Sequence, residues 1–130
     1  MEKINFIFFG TPYVASDTLE ILFSHGIVPS VIVTSPDRPS GRGMKMTSSP
    51  VKLWADANNI PVLQPEKLDE EFSSNLSRFA CPLAIVVAYG KIIPESIISS
   101  FPKGILNIHY SLLPKYRGAS PVESALLNND

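Results

Sequence analysis

Short runs of consecutive apolar residues alternate along this chain with stretches in which apolar positions recur every three or four residues. That alternation predicts parallel strands joined by crossover helices. Ile4 to Phe9 reads as a first strand. Ala15, Leu19, Leu22 and Phe23 then share one face of a helix, with Gly26 as its natural C-terminal stop. Ser30 to Thr34 supplies a second strand around Val31, Ile32 and Val33, a continuous apolar run of the kind buried on both faces.

The stretch from Ser35 to Ser48 is polar and punctuated by proline and glycine, so it reads as a long loop, a length that is usually functional or disordered. Ser49 as N-cap and Pro50 at the first helical position open a helix to about Asn58. Ile60 to Leu63 is a short strand. Asp69 to Phe79 places Phe72, Leu76 and Phe79 on one helical face, and Leu83 to Ala88 is the strongest strand pattern in the chain. A short helix around Ile97 and Ile98 precedes a strand from Ile105 to His109. Ser120-Pro121 repeats the cap-plus-proline start for a helix to about Asn128. The fold class expected is α/β, an open, doubly wound, mostly parallel sheet whose ligands gather where strands end and loops begin.

Composition narrows this reading. The 130 residues suit one domain with a buried core and leave no room for two full ones. A net charge of −1 offers no global field to nucleic acid or an anionic membrane, so any polyanion contact must be local. The single cysteine, Cys81, cannot form an internal disulfide, which fits a reducing, cytoplasmic location. The apolar N-terminal run is too short for a signal peptide, and no segment approaches the roughly 20 apolar residues of a membrane span.

Four loops leave the C-terminal ends of the expected strands: Gly10-Thr11-Pro12, Ser35 to Ser48, Tyr89-Gly90-Lys91 and Tyr110 to Gly118. The first holds one glycine where a G-x-G-x-x-G dinucleotide fingerprint needs three, so a nicotinamide cofactor is disfavoured. The clustered strand-end carboxylates of a phosphoacceptor domain are missing as well, since the first strand runs into Gly10-Thr11. Asn107 and His109 flank Ile108 at a strand end, where alternate side chains share a face. An amide donor beside a titratable ring suits an oxyanion formed during acyl transfer. Taken alone, the pair fits equally well two satisfied polar groups closing a strand.

The run Asn107-Ile108-His109-Tyr110-Ser111-Leu112-Leu113-Pro114-Lys115-Tyr116-Arg117-Gly118 resembles the signature of the folate-dependent formyltransferases. Pro36-Asp37-Arg38-Pro39-Ser40-Gly41-Arg42-Gly43, followed by Ser49-Pro50-Val51-Lys52, is similar to the branch whose acceptor is initiator methionyl-tRNA. Phe9-Gly10-Thr11-Pro12, Gln64-Pro65 and Ala88-Tyr89-Gly90 match the same pattern, so the resemblance spans nearly the whole chain. It implies a Rossmann-like formyltransferase fold. It also implies transfer of a formyl group from 10-formyltetrahydrofolate to the methionine amino group on initiator tRNA, for translation initiation, with no metal and no covalent nucleophile. By that resemblance Asn107 and His109 are catalytic. Ser111, Leu112, Leu113 and Pro114 would lie against the folate, with Ala88, Tyr89 and Gly90 as another part of its wall.

The segment from Asp37 to Lys52 sets Arg38, Arg42, Lys45 and Lys52 against the lone acid Asp37, a local excess of three positive charges. Seen in isolation, a solvated charged surface is the commoner explanation. Joined to the resemblance, Arg38, Arg42 and Lys45 are expected to grip the tRNA acceptor end through phosphates, Arg42 chiefly, with Met44 and Met46 able to wedge against bases. Cys81, His25 and Trp54 receive ordinary structural roles: burial, helix-end complementarity and core packing.

The chain departs from the pattern in two places. Tyr110 stands where many relatives carry proline, and the family's catalytic aspartate falls downstream of residue 130; Asp130 does not occupy its motif position. The expectation is therefore that residues 1–130 are an N-terminal formyltransferase catalytic domain, truncated at its C-terminal end and without the C-terminal tRNA-binding domain, inactive alone and monomeric at full length. Two alternatives are a formyltransferase acting on a small amine and a noncatalytic folate- or RNA-binding module.

Overall fold

The computed structural model describes residues 4–41, 43 and 45–109. The first strand, β1 (Phe6–Gly10), is buried along its whole length, as a continuous apolar run requires at the centre of a sheet covered on both faces. Helix α1 (Tyr13–Ser24) follows and ends at Gly26, whose φ of +76° lets the Ile27 amide turn back to the Leu22 carbonyl at 2.9 Å. Strand β2 (Val31–Val33) is again fully buried.

The stretch expected as a loop is a β-hairpin. Strands β3 (Arg38–Ser40) and β4 (Lys45–Thr47) pair antiparallel, Arg38 opposite Thr47 and Ser40 opposite Lys45, with Gly41 and Gly43 at positive φ between them. Every residue of both strands is exposed. With no buried face there is no apolar alternation to mark the strands; the backbone ladder and a Ser40–Thr47 hydroxyl pair at 2.6 Å carry the pairing.

Helix α2 (Pro50–Ala57) starts as its cap predicts, with the Ser49 hydroxyl accepting the Lys52 amide at 3.0 Å. Strand β5 (Val62–Leu63) is shorter than expected, although Ile60 ahead of it still reaches the core. Helix α3 (Glu70–Ser77) is capped by Asp69, whose carboxylate accepts the Phe72 amide at 3.0 Å. Strand β6 (Leu83–Val87), helix α4 (Glu95–Ile98) and strand β7 (Ile105–Ile108) complete the described fold. The helix expected from Ser120 lies outside the described residues.

The five longer-range strands form one parallel sheet in the order β5-β2-β1-β6-β7. One face carries α1 and α2 and packs Phe6, Phe8, Leu19, Ile32, Val51, Val87 and Ile108 together. The other carries α3 and α4 and encloses Ile7, Phe9, Val33, Phe72, Leu76, Tyr89 and Ile97. This is the doubly wound arrangement. The chain builds outward from β1 to one side and then crosses to the other with β6, so the topological switch point lies between β1 and β6. Gly10 closes β1 there, and a Cβ on it would come within 2.6 Å of Ala15 Cβ and 2.8 Å of the Val87 carbonyl oxygen. Glycine is thus required for β1, α1 and β6 to approach this closely.

Cys81 is buried, and desolvation pushes its thiol pKa up. Trp54 stands edge-on to Phe23 at 5.5 Å and donates to Glu20 Oε1 at 3.2 Å, tying α2 to α1. His25 is the exposed C-cap of α1.

Candidate functional site at the strand ends

One hydroxyl joins the loops that leave three adjacent strands. Thr11, just past β1, donates to the Tyr89 carbonyl beyond β6 at 2.9 Å and lies 3.1 Å from the Ser35 hydroxyl beyond β2. Beside it, buried Thr34 pairs with the N-cap Ser49 at 2.8 Å, pinning together the two ends of the hairpin segment. Three of the four loops expected to converge do so here. The fourth, from Tyr110 onward, lies outside the described residues, and with it Ser111, Leu112, Leu113 and Pro114.

The segment Ala88-Tyr89-Gly90 leaves β6 in an unusual backbone. Ala88 has φ +51° and Gly90 φ +93°. A left-handed non-glycine residue costs roughly 1–2 kcal/mol, and such strain concentrates at functional sites. Ala88 and Gly90 are exposed, whereas the Tyr89 ring turns inward, 2% exposed and edge-on to Phe9 at 5.3 Å. Desolvation pushes the Tyr89 phenol up to about 12, and its hydroxyl has no hydrogen-bond partner among the described residues. What this tripeptide offers the crevice is therefore backbone and small side chains; the aromatic ring serves the core beneath.

Strand β7 lies beside β6 with Asn107 opposite Val86 and Ile108 opposite Val87. Ile108 is 2% exposed and packs into the α1–α2 face, while Asn107 and His109 are both exposed. Strand alternation assigns Asn107 to the opposite face from Ile108, and His109 continues that alternation one residue past the strand. Continuing the register places His109 level with Ala88. An amide and an imidazole thus stand at the strand ends, next to the strained loop.

Two of the four basic residues of this segment lie on the hairpin strands. Arg38 and Lys45 are exposed on β3 and β4, Arg42 lies outside the described residues, and Lys52 is engaged by Asp56 on the next turn of α2. The hairpin base is tied to the sheet by Gln64, which donates to the Ser35 carbonyl at 3.2 Å and to Asp37 Oδ1 at 2.8 Å. That bond, with help from the Ser48 hydroxyl, holds the Asp37 carboxyl below its ordinary value. Sequence reasoning placed Asp37 and Gln64 in separate motifs and did not join them. It assigned no role to the hydroxyls of Thr34 and Ser35.

A surface depression of about 390 Å³ opens between the β5–α3 connection and α3, lined by Gln64, Glu66, Asp69, Glu71 and Phe72 among others. It sits at the sheet edge and includes neither Asn107 nor His109. Among the described residues no three metal-ligating side chains cluster, and no helix is long and apolar enough to cross a membrane.

Comparison with known proteins agrees with this fold. The formyl transferase family model matches residues 2–130. The methionyl-tRNA formyltransferase of Buchnera aphidicola (subsp. Acyrthosiphon pisum, strain Tuc7) is 44% identical over 133 residues, spanning 100% of this chain and 42% of that protein. Its namesake from Koribacter versatilis is 50% identical over 122 residues, covering 92% and 39%. The chain thus spans about two fifths of the length of the curated relatives it matches. Among solved structures, glycinamide ribonucleotide transformylase 1 of Geobacillus kaustophilus superposes with a TM-score of 0.61 at 19% identity, covering 98% of this chain and 69% of that one. A formyltetrahydrofolate deformylase from Pseudomonas syringae gives 0.60 at 16% identity, covering 98% and 42%. These likenesses establish the shared fold. With its parallel sheet, its strand-end site and a family match along almost its whole length, the chain belongs to the formyl transferase family.

Proposed function

We propose that this chain supplies the donor-side part of the catalytic domain of a methionyl-tRNA formyltransferase, transferring the formyl group of 10-formyltetrahydrofolate to the amino group of initiator methionyl-tRNA. The observation that carries the reading is the placement of Asn107 and His109 at the end of β7, level with the strained Ala88-Tyr89-Gly90 loop, in a chain matched along its length by the formyl transferase family.

In this reading the exposed backbone of Ala88 and Gly90, with Ser111, Leu112, Leu113 and Pro114, forms the wall for the folate ring. The folate supplies the formyl carbon. Asn107 donates its amide N–H, and His109 a ring N–H, to the oxyanion that develops as the acceptor amine attacks that carbon. The new C–N bond to the methionyl amine forms, the bond to folate N10 breaks, the amine gives up a proton and N10 receives one. The chain's residues need act only by placing donors and excluding water, without a covalent intermediate.

The exposed hairpin strands that carry Arg38 and Lys45, with Arg42 between them in sequence, favour a tRNA acceptor over a small amine, because a small amine gives a projecting cationic arm nothing to hold. The names of the relatives point the same way. A cytosolic, monomeric protein of the relatives' length, with residues 1–130 at its N-terminal end, completes the proposal. Incubating a protein of that length with 10-formyltetrahydrofolate and initiator methionyl-tRNA should yield formylmethionyl-tRNA; formylation of a small amine in its place would overturn the acceptor assignment.

A further inference from the structure

Neither strand of the β3–β4 hairpin has a buried residue, so the hairpin's direction relative to the crevice is set at its base. Among the described residues, three side-chain links hold that base: Thr34 to Ser49, Thr11 to Ser35, and Gln64 to both Ser35 and Asp37. The first two lie below the arm, whereas Asp37 is the residue that enters β3, directly before Arg38. Gln64 reaches it from the end of β5, 27 residues away in sequence. Both hydrogens of one amide nitrogen are used, one on a carbonyl and one on a carboxylate, so the reversed amide would set its oxygen against two acceptors.

We infer that Gln64, acting through Asp37, is a positioning residue that aims the cationic hairpin at the strand-end crevice. This rests on the tRNA reading above and deepens it: Gln64 touches no substrate, yet it sets where Arg38 and Lys45 present their charges. Because every cation remains when Gln64 is replaced, losing the latch should lower RNA affinity without lowering the number of phosphate contacts available.

The test uses the full-length protein and two readouts. Amide hydrogen exchange across residues 38–40 and 45–47 reports hairpin order without RNA, with α1 as the internal control for folding. Fluorescence anisotropy with a fluorescein-labelled acceptor-stem minihelix of initiator tRNA reports affinity and its salt slope. Gln64→Ala should speed exchange in the hairpin but not in α1 and weaken the minihelix by about threefold to tenfold, the effect of one lost ordering hydrogen bond, at an unchanged salt slope. Asp37→Ala removes the other partner of the same bond, so the double variant Gln64→Ala/Asp37→Ala should exchange little faster than Gln64→Ala alone. Unchanged hairpin exchange in Gln64→Ala, or fully additive effects in the double variant, overturns the positioning role. Faster, non-additive exchange with unaltered minihelix affinity upholds the latch and refutes the RNA reading instead.

Discussion

The Thr11 hydroxyl donates to the Tyr89 carbonyl at 2.9 Å, linking residues 78 apart at the switch point of the sheet. That bond anchors a loop whose backbone is strained at Ala88, and it does so where β1 and β6 diverge. Thr11→Val keeps the shape and removes the donor, leaving a partly buried carbonyl unpaired. The expected loss is about 1–2 kcal/mol in urea unfolding, with Thr11→Ser close to the parent. In the active protein the valine variant should raise KM for the folate donor more than it lowers kcat.

Gly10→Ala addresses the same junction from below. The added methyl meets the Val87 carbonyl oxygen and the Ala15 Cβ inside 3.0 Å, and both belong to packed elements that cannot swing aside. Destabilisation of about 1–3 kcal/mol or more is expected, visible as a lower midpoint in thermal or urea unfolding. Gly43→Ala, with nothing within 4 Å of its Cβ, meets backbone strain alone and should cost less.

Burial of Tyr89 predicts an alkaline limb of instability. Its phenol titrates at about 12 in the folded chain against an ordinary value of 10.0. Between those values the unfolded chain releases this proton while the folded chain retains it, so stability falls as pH rises through that window. Tyr89→Phe should lack this component of the fall. At neutral pH it should be at least as stable as the parent, since the hydroxyl it removes is buried with no partner among the described residues. Equal alkaline slopes for the two proteins would contradict the assignment.

Much of the sheet was legible because its strands are buried on both faces. Val31 to Val33 and Leu83 to Val87 could hardly read otherwise, and the caps at Ser49 and Asp69 mark their helices locally. The hairpin was hidden for the converse reason: strands with two wet faces leave no periodic signature. Asn107 and His109 stood out through spacing across Ile108. The inward turn of the Tyr89 ring did not, since it depends on the left-handed backbone at Ala88 and on Phe9, a residue of the neighbouring strand that is 80 positions away in sequence. The Asp37–Gln64 link was equally invisible, because side-chain bonds across 27 positions arise from the fold.

Neutralising the hairpin separates charge from placement. Arg38→Ala and Lys45→Ala should each weaken binding of the acceptor-stem minihelix and reduce the salt slope by about 1, the signature of one lost phosphate contact. Asp56→Ala frees Lys52 without removing a cation and should leave the slope unchanged or slightly steeper.

In the proposed reaction Asn107 and His109 together receive the negative charge of formyl transfer. Single-turnover formylation of initiator methionyl-tRNA by the full-length protein, comparing the parent with Asn107→Ala at saturating donor and acceptor, reads that role without interference from substrate binding. The rate should fall by about 10²–10³ with binding of both substrates little changed. A parental rate in Asn107→Ala would contradict it.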